Sequence, residues 1–145
     1  MIQKIANKNK LLYKELSYNL QGAFFEVWKE FGPAYKEAIY RKALICEFNL
    51  RKIPFEAEKA INLTYKGIKV GVYRLDFVID DKILVEIKAV PELPKVMETQ
   101  LYFYLKATKY KVGYLVNFGT EKLDIRRRIY TNTKYHETLH KRSRN

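Results

Sequence analysis

The sequence predicts an α/β fold, a mixed β-sheet flanked by helices with elements in the order ααβββαββ. Three observations predict it. Apolar residues recur at three- and four-residue spacing over positions 17–51 and 95–109, the period of amphipathic helices. Positions 57–90 and 112–130 are instead short β-rich runs divided by turn residues. The chain has 145 residues, 48% hydrophobic and 14% aromatic, with only six Gly and four Pro, enough apolar material for one domain with a sizeable core.

Each element has a local reason. Ser17 can cap a first helix whose apolar positions are Leu20, Phe24, Val27, Trp28 and Phe31, and Gly32-Pro33 stops it. A second helix is expected over about 34–51. It carries one stripe of Ile39, Ala43, Cys46 and Leu50 and another of Tyr40, Leu44 and Phe48, so it is expected between layers, with Cys46 in the core. Strands follow at about 57–65, 70–79 and 83–90, parted by Lys66-Gly67 and by Asp80-Asp81, and the three are expected to be antiparallel neighbours. Pro91 and Pro94 break the chain before a helix over 95–109 with Met97, Leu101, Tyr104 and Thr108 on one stripe. Strands at about 112–118 and 123–130 complete the order, giving one domain over 1–130 and a basic tail over 131–145.

Charge narrows the partner class. Twenty-eight Lys and Arg against sixteen Asp and Glu give a formal net charge of +12, which favours an anionic partner such as nucleic acid. The lone Cys46 excludes an intramolecular disulfide framework and a multi-cysteine zinc site. No apolar run approaches the roughly 18 residues of a membrane span and no signal peptide is visible, so a cytoplasmic location and no membrane partner are expected.

The chemistry is concentrated in residues 73–88, where strand register can be tested by arithmetic. A two-residue loop at Asp80-Asp81 would put charges on both faces of the hairpin. A three-residue loop, Asp80-Asp81-Lys82, pairs Ile79 with Ile83, Phe77 with Val85 and Leu75 with Ile87, gathering six apolar residues on one side. The other side then carries Asp76 opposite Glu86, with Lys88 two residues along. Opposed carboxylates repel and call for a cation. Two convergent oxygen ligands suit a hard divalent ion such as Mg²⁺, which can activate water, while a nearby lysine stabilises the anion formed; phosphodiester hydrolysis is the chemistry indicated. The alternative is a solvated charged strand face. Glu37, at the angular position of Leu44 and Phe48, is a third acid expected to turn toward packed surface and to need a cation.

Five blocks of residues together resemble the GxxExxY proteins of the PD-(D/E)XK nuclease superfamily. They are Gly32-Pro33-Ala34-Tyr35-Lys36-Glu37-Ala38-Ile39-Tyr40, Gly71 to Phe77, Val85-Glu86-Ile87-Lys88-Ala89-Val90, Gln100-Leu101 with Tyr104-Leu105-Lys106, and Leu115-Val116-Asn117-Phe118-Gly119. The similarity runs from about Leu16 to Ile129, and the one visible departure is Ala34 where the naming motif begins with Gly. The resemblance implies the restriction-endonuclease-like αβββαβ core, with Glu37, Asp76, Glu86 and the Ile87 carbonyl as Mg²⁺ ligands and Mn²⁺ as a substitute. It further implies Lys88 as the water-positioning or charge-stabilising residue, with Tyr40, Gln100 and Tyr104 bordering the site as in RecB-like nucleases. It also brings an expectation of a homodimer. Nuclease folds lose activity while keeping their scaffold, so a catalytically silent nucleic-acid-binding module is the competing reading.

Arg126, Arg127, Arg128, Lys141, Arg142 and Arg144 are the candidates for phosphate contacts, and a solubilising tail is the plainer use of them. DNA is expected over RNA, with structure-directed cutting, since no separate recognition domain is evident. His136-Glu137-Thr138-Leu139-His140 matches a zinc-protease pattern in letters only, because it falls in a basic tail with no third ligand after it.

Overall fold

The computed structural model describes residues 12–131. Its elements are α1 (Lys14–Phe31), α2 (Glu37–Leu50), β1 (Phe55–Tyr65), β2 (Ile68–Ile79), β3 (Ile83–Lys88), α3 (Lys95–Ala107), β4 (Val112–Asn117) and β5 (Asp124–Ile129). The five strands form one sheet in the order β1-β2-β3-β4-β5. Only the β3–β4 pair is parallel, and α3 is the crossover that this pairing requires. The expected mixed sheet and its element order are what the chain forms.

Two apolar clusters sandwich the sheet. On one face, Leu20, Phe24 and Val27 of α1 and Tyr40, Leu44 and Phe48 of α2 pack on Phe77, Ile79, Ile83, Val85, Ile87, Val112, Tyr114 and Val116. On the other, Leu101 and Leu105 of α3 pack on Leu75, Val78, Leu84 and Leu115. Burying a side chain of this size contributes about 1.5–3 kcal/mol each, so the two clusters dominate the favourable side of folding.

Several local expectations are corrected. Ser17 is not a cap: α1 begins one turn earlier, after Tyr13, and the Ser17 N–H donates to the Tyr13 carbonyl at 2.8 Å. Leu12, Tyr13 and Leu16 pack against the core, which draws this earlier turn into the helix. Gly32 does end α1, with φ +60° and its N–H on the Trp28 carbonyl at 2.7 Å. The second helix starts at Glu37 rather than at 34. Nor does it lie between layers, for Tyr40, Leu44 and Phe48 are buried while Ile39, Cys46 and Leu50 are exposed. Only one stripe can face the sheet when the helix sits on its outside.

The strand alternation also departs from expectation at one point. Ile79 pairs with Ile83 and Phe77 with Val85, as the three-residue loop requires, and Asp80 and Asp81 both take positive φ to close it. Leu75, however, joins the α3 side with Tyr73, whereas Phe77 and Ile79 face α1 and α2. The facing of β2 therefore switches at Asp76. Its neighbour β1 switches with it, Ala57 facing one cluster and Ile61 the other, at Glu58, whose φ is +54°.

The chain beyond β3 is fixed by β4. Asn117, fully buried, accepts the Val90 and Gly119 N–H groups on its Oδ1, each at 3.0 Å, and donates to the Val90 carbonyl at 2.9 Å. A Cβ at Gly119 would stand 2.4 Å from the Val90 nitrogen, so this approach admits glycine alone without a backbone shift. Replacing Asn117 by Ala leaves three backbone groups without a partner and is expected to lower stability by roughly 3 kcal/mol. Urea denaturation of Asn117→Ala beside the exposed Thr99→Ala checks this; equal midpoints would refute it.

Candidate active site

Beyond the Phe77–Val85 pair no further β2–β3 pair continues the ladder. Side-chain carboxylates take over there. Glu86 Oε1 accepts the Asp76 N–H at 2.9 Å, and Asp76 Oδ2 accepts the Ile87 N–H at 2.9 Å. Glu86 thus bonds the backbone of Asp76, and Asp76 the backbone of the residue after Glu86, which locks both in position. Asp76 is 9% exposed and Glu86 4%.

The other oxygens are held as well. Glu86 Oε2 accepts the Tyr73 hydroxyl at 3.1 Å, and the Tyr73 ring stacks on Tyr104 at 4.1 Å. Burial, then a hydrogen bond with Tyr104 and the Glu86 charge, hold the Tyr73 phenol far above its ordinary range, so it stays a donor at any working pH. Asp76 Oδ1 receives Arg41 Nη2 at 2.6 Å, and the same nitrogen reaches Glu37 Oε1 at 2.9 Å. Glu37 stands in the first turn of α2, where the helix dipole favours an acid. Its pKa is nonetheless raised, first by burial and then by the Asp76 charge, with Lys88 and Arg41 opposing.

Glu37, Asp76 and Glu86 are therefore brought together, with Lys88 in electrostatic reach of Glu37 and Glu86. Tyr104 reaches the cluster through Tyr73, whereas Gln100, one turn earlier on α3, is exposed and makes no side-chain hydrogen bond among the described residues. Tyr40 does not open onto the site. It is fully buried, stacked on Phe118 at 4.7 Å, and its hydroxyl donates to the Gly32 carbonyl while accepting the Tyr35 N–H at 3.2 Å. It ties the α1–α2 turn to the start of α2 and so positions Glu37.

The arginine triplet is occupied within the fold. Strand alternation sends Arg126 and Arg128 toward α3, where both pair with Glu98 and Arg126 also with Asp124, while Arg127 donates to the Leu12 carbonyl at 3.2 Å. Lys141, Arg142, Arg144 and the 136–140 motif lie outside the described residues.

Sequence reasoning missed Arg41, Tyr73 and Glu58. Arg41 is one helical turn from Glu37, a spacing that could have flagged it. Tyr73 and Glu58 gave no such signal, because their positions follow from the switch of facing in β1 and β2.

The donor set suits a hard cation, being carboxylate oxygen throughout. Among the described residues no group of three His, Cys, Asp or Glu is close enough to hold a metal as it stands. Arg41 accounts for this between Glu37 and Asp76.

A family model described as the PD-(D/E)XK nuclease superfamily matches residues 14–128. The crystal structure of SSO0001 is similar to this chain with a TM-score of 0.50 and 20% sequence identity, covering 88% of this chain and 65% of that one. This chain thus spans less than two thirds of SSO0001, and the likeness concerns the fold. No curated protein matches the chain. Among the described residues no helix is long and apolar enough to cross a membrane.

Burial, with the Asp76 charge second, pushes the Glu86 carboxyl up to about 7. A raised acid binds its proton more tightly folded than unfolded, so the full contribution to stability is present below its ordinary pKa of 4.5. In metal-free protein that contribution is lost as pH rises from there through about 7, on the order of 3 kcal/mol in all. Thermal melts in chelator should show this slope in the native chain and a flatter one in Glu86→Gln. Parallel pH profiles for the two proteins would count against it.

Proposed function

The chain belongs to the PD-(D/E)XK nuclease superfamily, and from that premise we propose that it is a Mg²⁺-dependent nuclease that hydrolyses phosphodiester bonds in DNA. The observation that carries this reading is the buried Asp76–Glu86 pair, locked by reciprocal backbone hydrogen bonds, with Lys88 two residues farther along the same strand. A fold has no structural need to bury two adjoining carboxylates, because desolvation and mutual repulsion both oppose it.

In this reading Glu37, Asp76, Glu86 and the Ile87 carbonyl hold the ion, Mg²⁺ or in its place Mn²⁺. The bound ion would supply Lewis-acid neutralisation of phosphate charge and a lowered pKa for the attacking water. The protein supplies the rest. The Ile87 N–H and the Asp76 N–H hold the two carboxylates, so little reorganisation remains when substrate binds. Tyr73, braced by Tyr104, keeps Glu86 turned to the site. Lys88 makes no ion pair with a described residue and lies beside the acids, which leaves its ammonium available to orient water or meet a phosphate oxygen.

The GxxExxY grouping, a RecB-like relationship, DNA rather than RNA as substrate, structure-directed cutting, a cytoplasmic setting and a homodimer belong to the same proposal. Residues 1–130 act as the nuclease domain in it, and the 131–145 tail, with Lys141, Arg142 and Arg144, carries phosphate affinity. One observation favours the competing reading of a silent binding module, namely that Arg41 bridges two of the acids.

Linear, nicked, branched and single-stranded DNA incubated with the purified chain and Mg²⁺ or Mn²⁺ should be cut. Lys88→Ala and Asp76→Asn should each slow cutting by about 10²-fold or more. Equal rates in both variants and the native chain, or no metal-dependent cutting of any substrate, would sink the proposal.

A further inference from the structure

Arg41 is placed unlike an ordinary structural arginine. Such residues frequently present two parallel N–H donors to one carboxylate. Here a single nitrogen, Nη2, serves two carboxylates from different elements, Glu37 on α2 at 2.9 Å and Asp76 on β2 at 2.6 Å. The Nε–H is buried without a hydrogen-bond partner among the described residues, an arrangement that costs about 1–3 kcal/mol. Glu58 of β1 adds a third acid within electrostatic reach. The guanidinium therefore stands between two acids with a third in electrostatic reach, in an incompletely satisfied geometry, and its side chain is 26% exposed, so a path to solvent is open.

We propose that Arg41 is a resident counter-cation that closes the acidic site when no metal is bound and that a divalent ion displaces. This rests on the metal-dependent reading above. Glu37 and Asp76 repel each other unless a cation lies between them, and the chain supplies its own. A divalent ion carries twice the charge of the guanidinium that it replaces between these acids. The displaced guanidinium remains tethered one turn from Glu37 at the rim of the site. A nucleic-acid phosphate offers it the planar, bidentate partner, Nε included, that the acids do not. Metal and substrate thus each remove the obstacle to the other.

Calorimetric titration of Mg²⁺ and of Mn²⁺, without nucleic acid, into the native chain, Arg41→Ala and Arg41→Gln tests this. Both variants should bind the ion at least about fivefold more tightly, because a competing positive charge a few ångströms away has gone. Melting in chelator and in excess Mg²⁺ is the second readout. The variants should melt lower than the native chain in chelator and gain more from the ion. Should one variant fail to fold, the other carries the comparison. Binding by the native chain with equal or weaker binding by the variants would overturn the role of Arg41 and leave the nuclease reading intact. No binding of either ion by any of the proteins would overturn both.

Discussion

Everything near the site depends on where the β2–β3 ladder stops. Antiparallel strands satisfy their backbone groups with each other, and the pairing here ends at Phe77–Val85. Past that point Asp76 and Glu86 receive the Ile87 and Asp76 N–H groups on their side chains. The exchange satisfies buried donors and holds two acids in the sheet plane, where no solvated strand face would keep them. Arg41, Tyr73 and Lys88 are arranged around that fixed pair.

The aromatic residues show how the layers serve the same end. Phe48 packs edge-to-face on Phe77 at 5.2 Å, anchoring α2 beside the last ladder pair. Tyr40 lies on the same helix stripe and binds the α1–α2 turn, so Glu37 begins its helix at a set height over Asp76. Across the sheet, the Tyr73–Tyr104 stack does the corresponding work for Glu86 from α3. Two helices on opposite faces of the sheet thus each steer one acid, Glu37 from α2 and Glu86 from α3.

Much of this was legible because one face of β2 and β3 had to be apolar. That requirement alone chose the three-residue loop and set Ile79 against Ile83 and Phe77 against Val85. The same reasoning failed at Leu75, because it assumed unbroken alternation, and a left-handed residue at Glu58 carries both strands across to the other cluster. Exposure of Cys46 and Ile39 was hidden for a different reason: an apolar stripe does not reveal whether a second layer exists to cover it. The arginine triplet invited a phosphate role from charge alone, and that reasoning did not foresee that Glu98, twenty-eight residues before Arg126, pairs with Arg126 and Arg128 across β5 and α3. Such pairings are long-range and follow only from topology.

The Asn117 clasp on Val90 has a consequence in time rather than in space. Glu37, Asp76, Glu86 and Lys88 are all synthesised before α3. The exit of β3 after Lys88 is different, since its tether lies on β4 and closes with Gly119 against Val90. During synthesis the β2–β3 hairpin therefore emerges before either of its braces, because Tyr104, which stacks on Tyr73 beside Glu86, and Asn117, which clasps Val90, both come later in the chain. The order of the chain itself therefore withholds a finished site from a half-made protein.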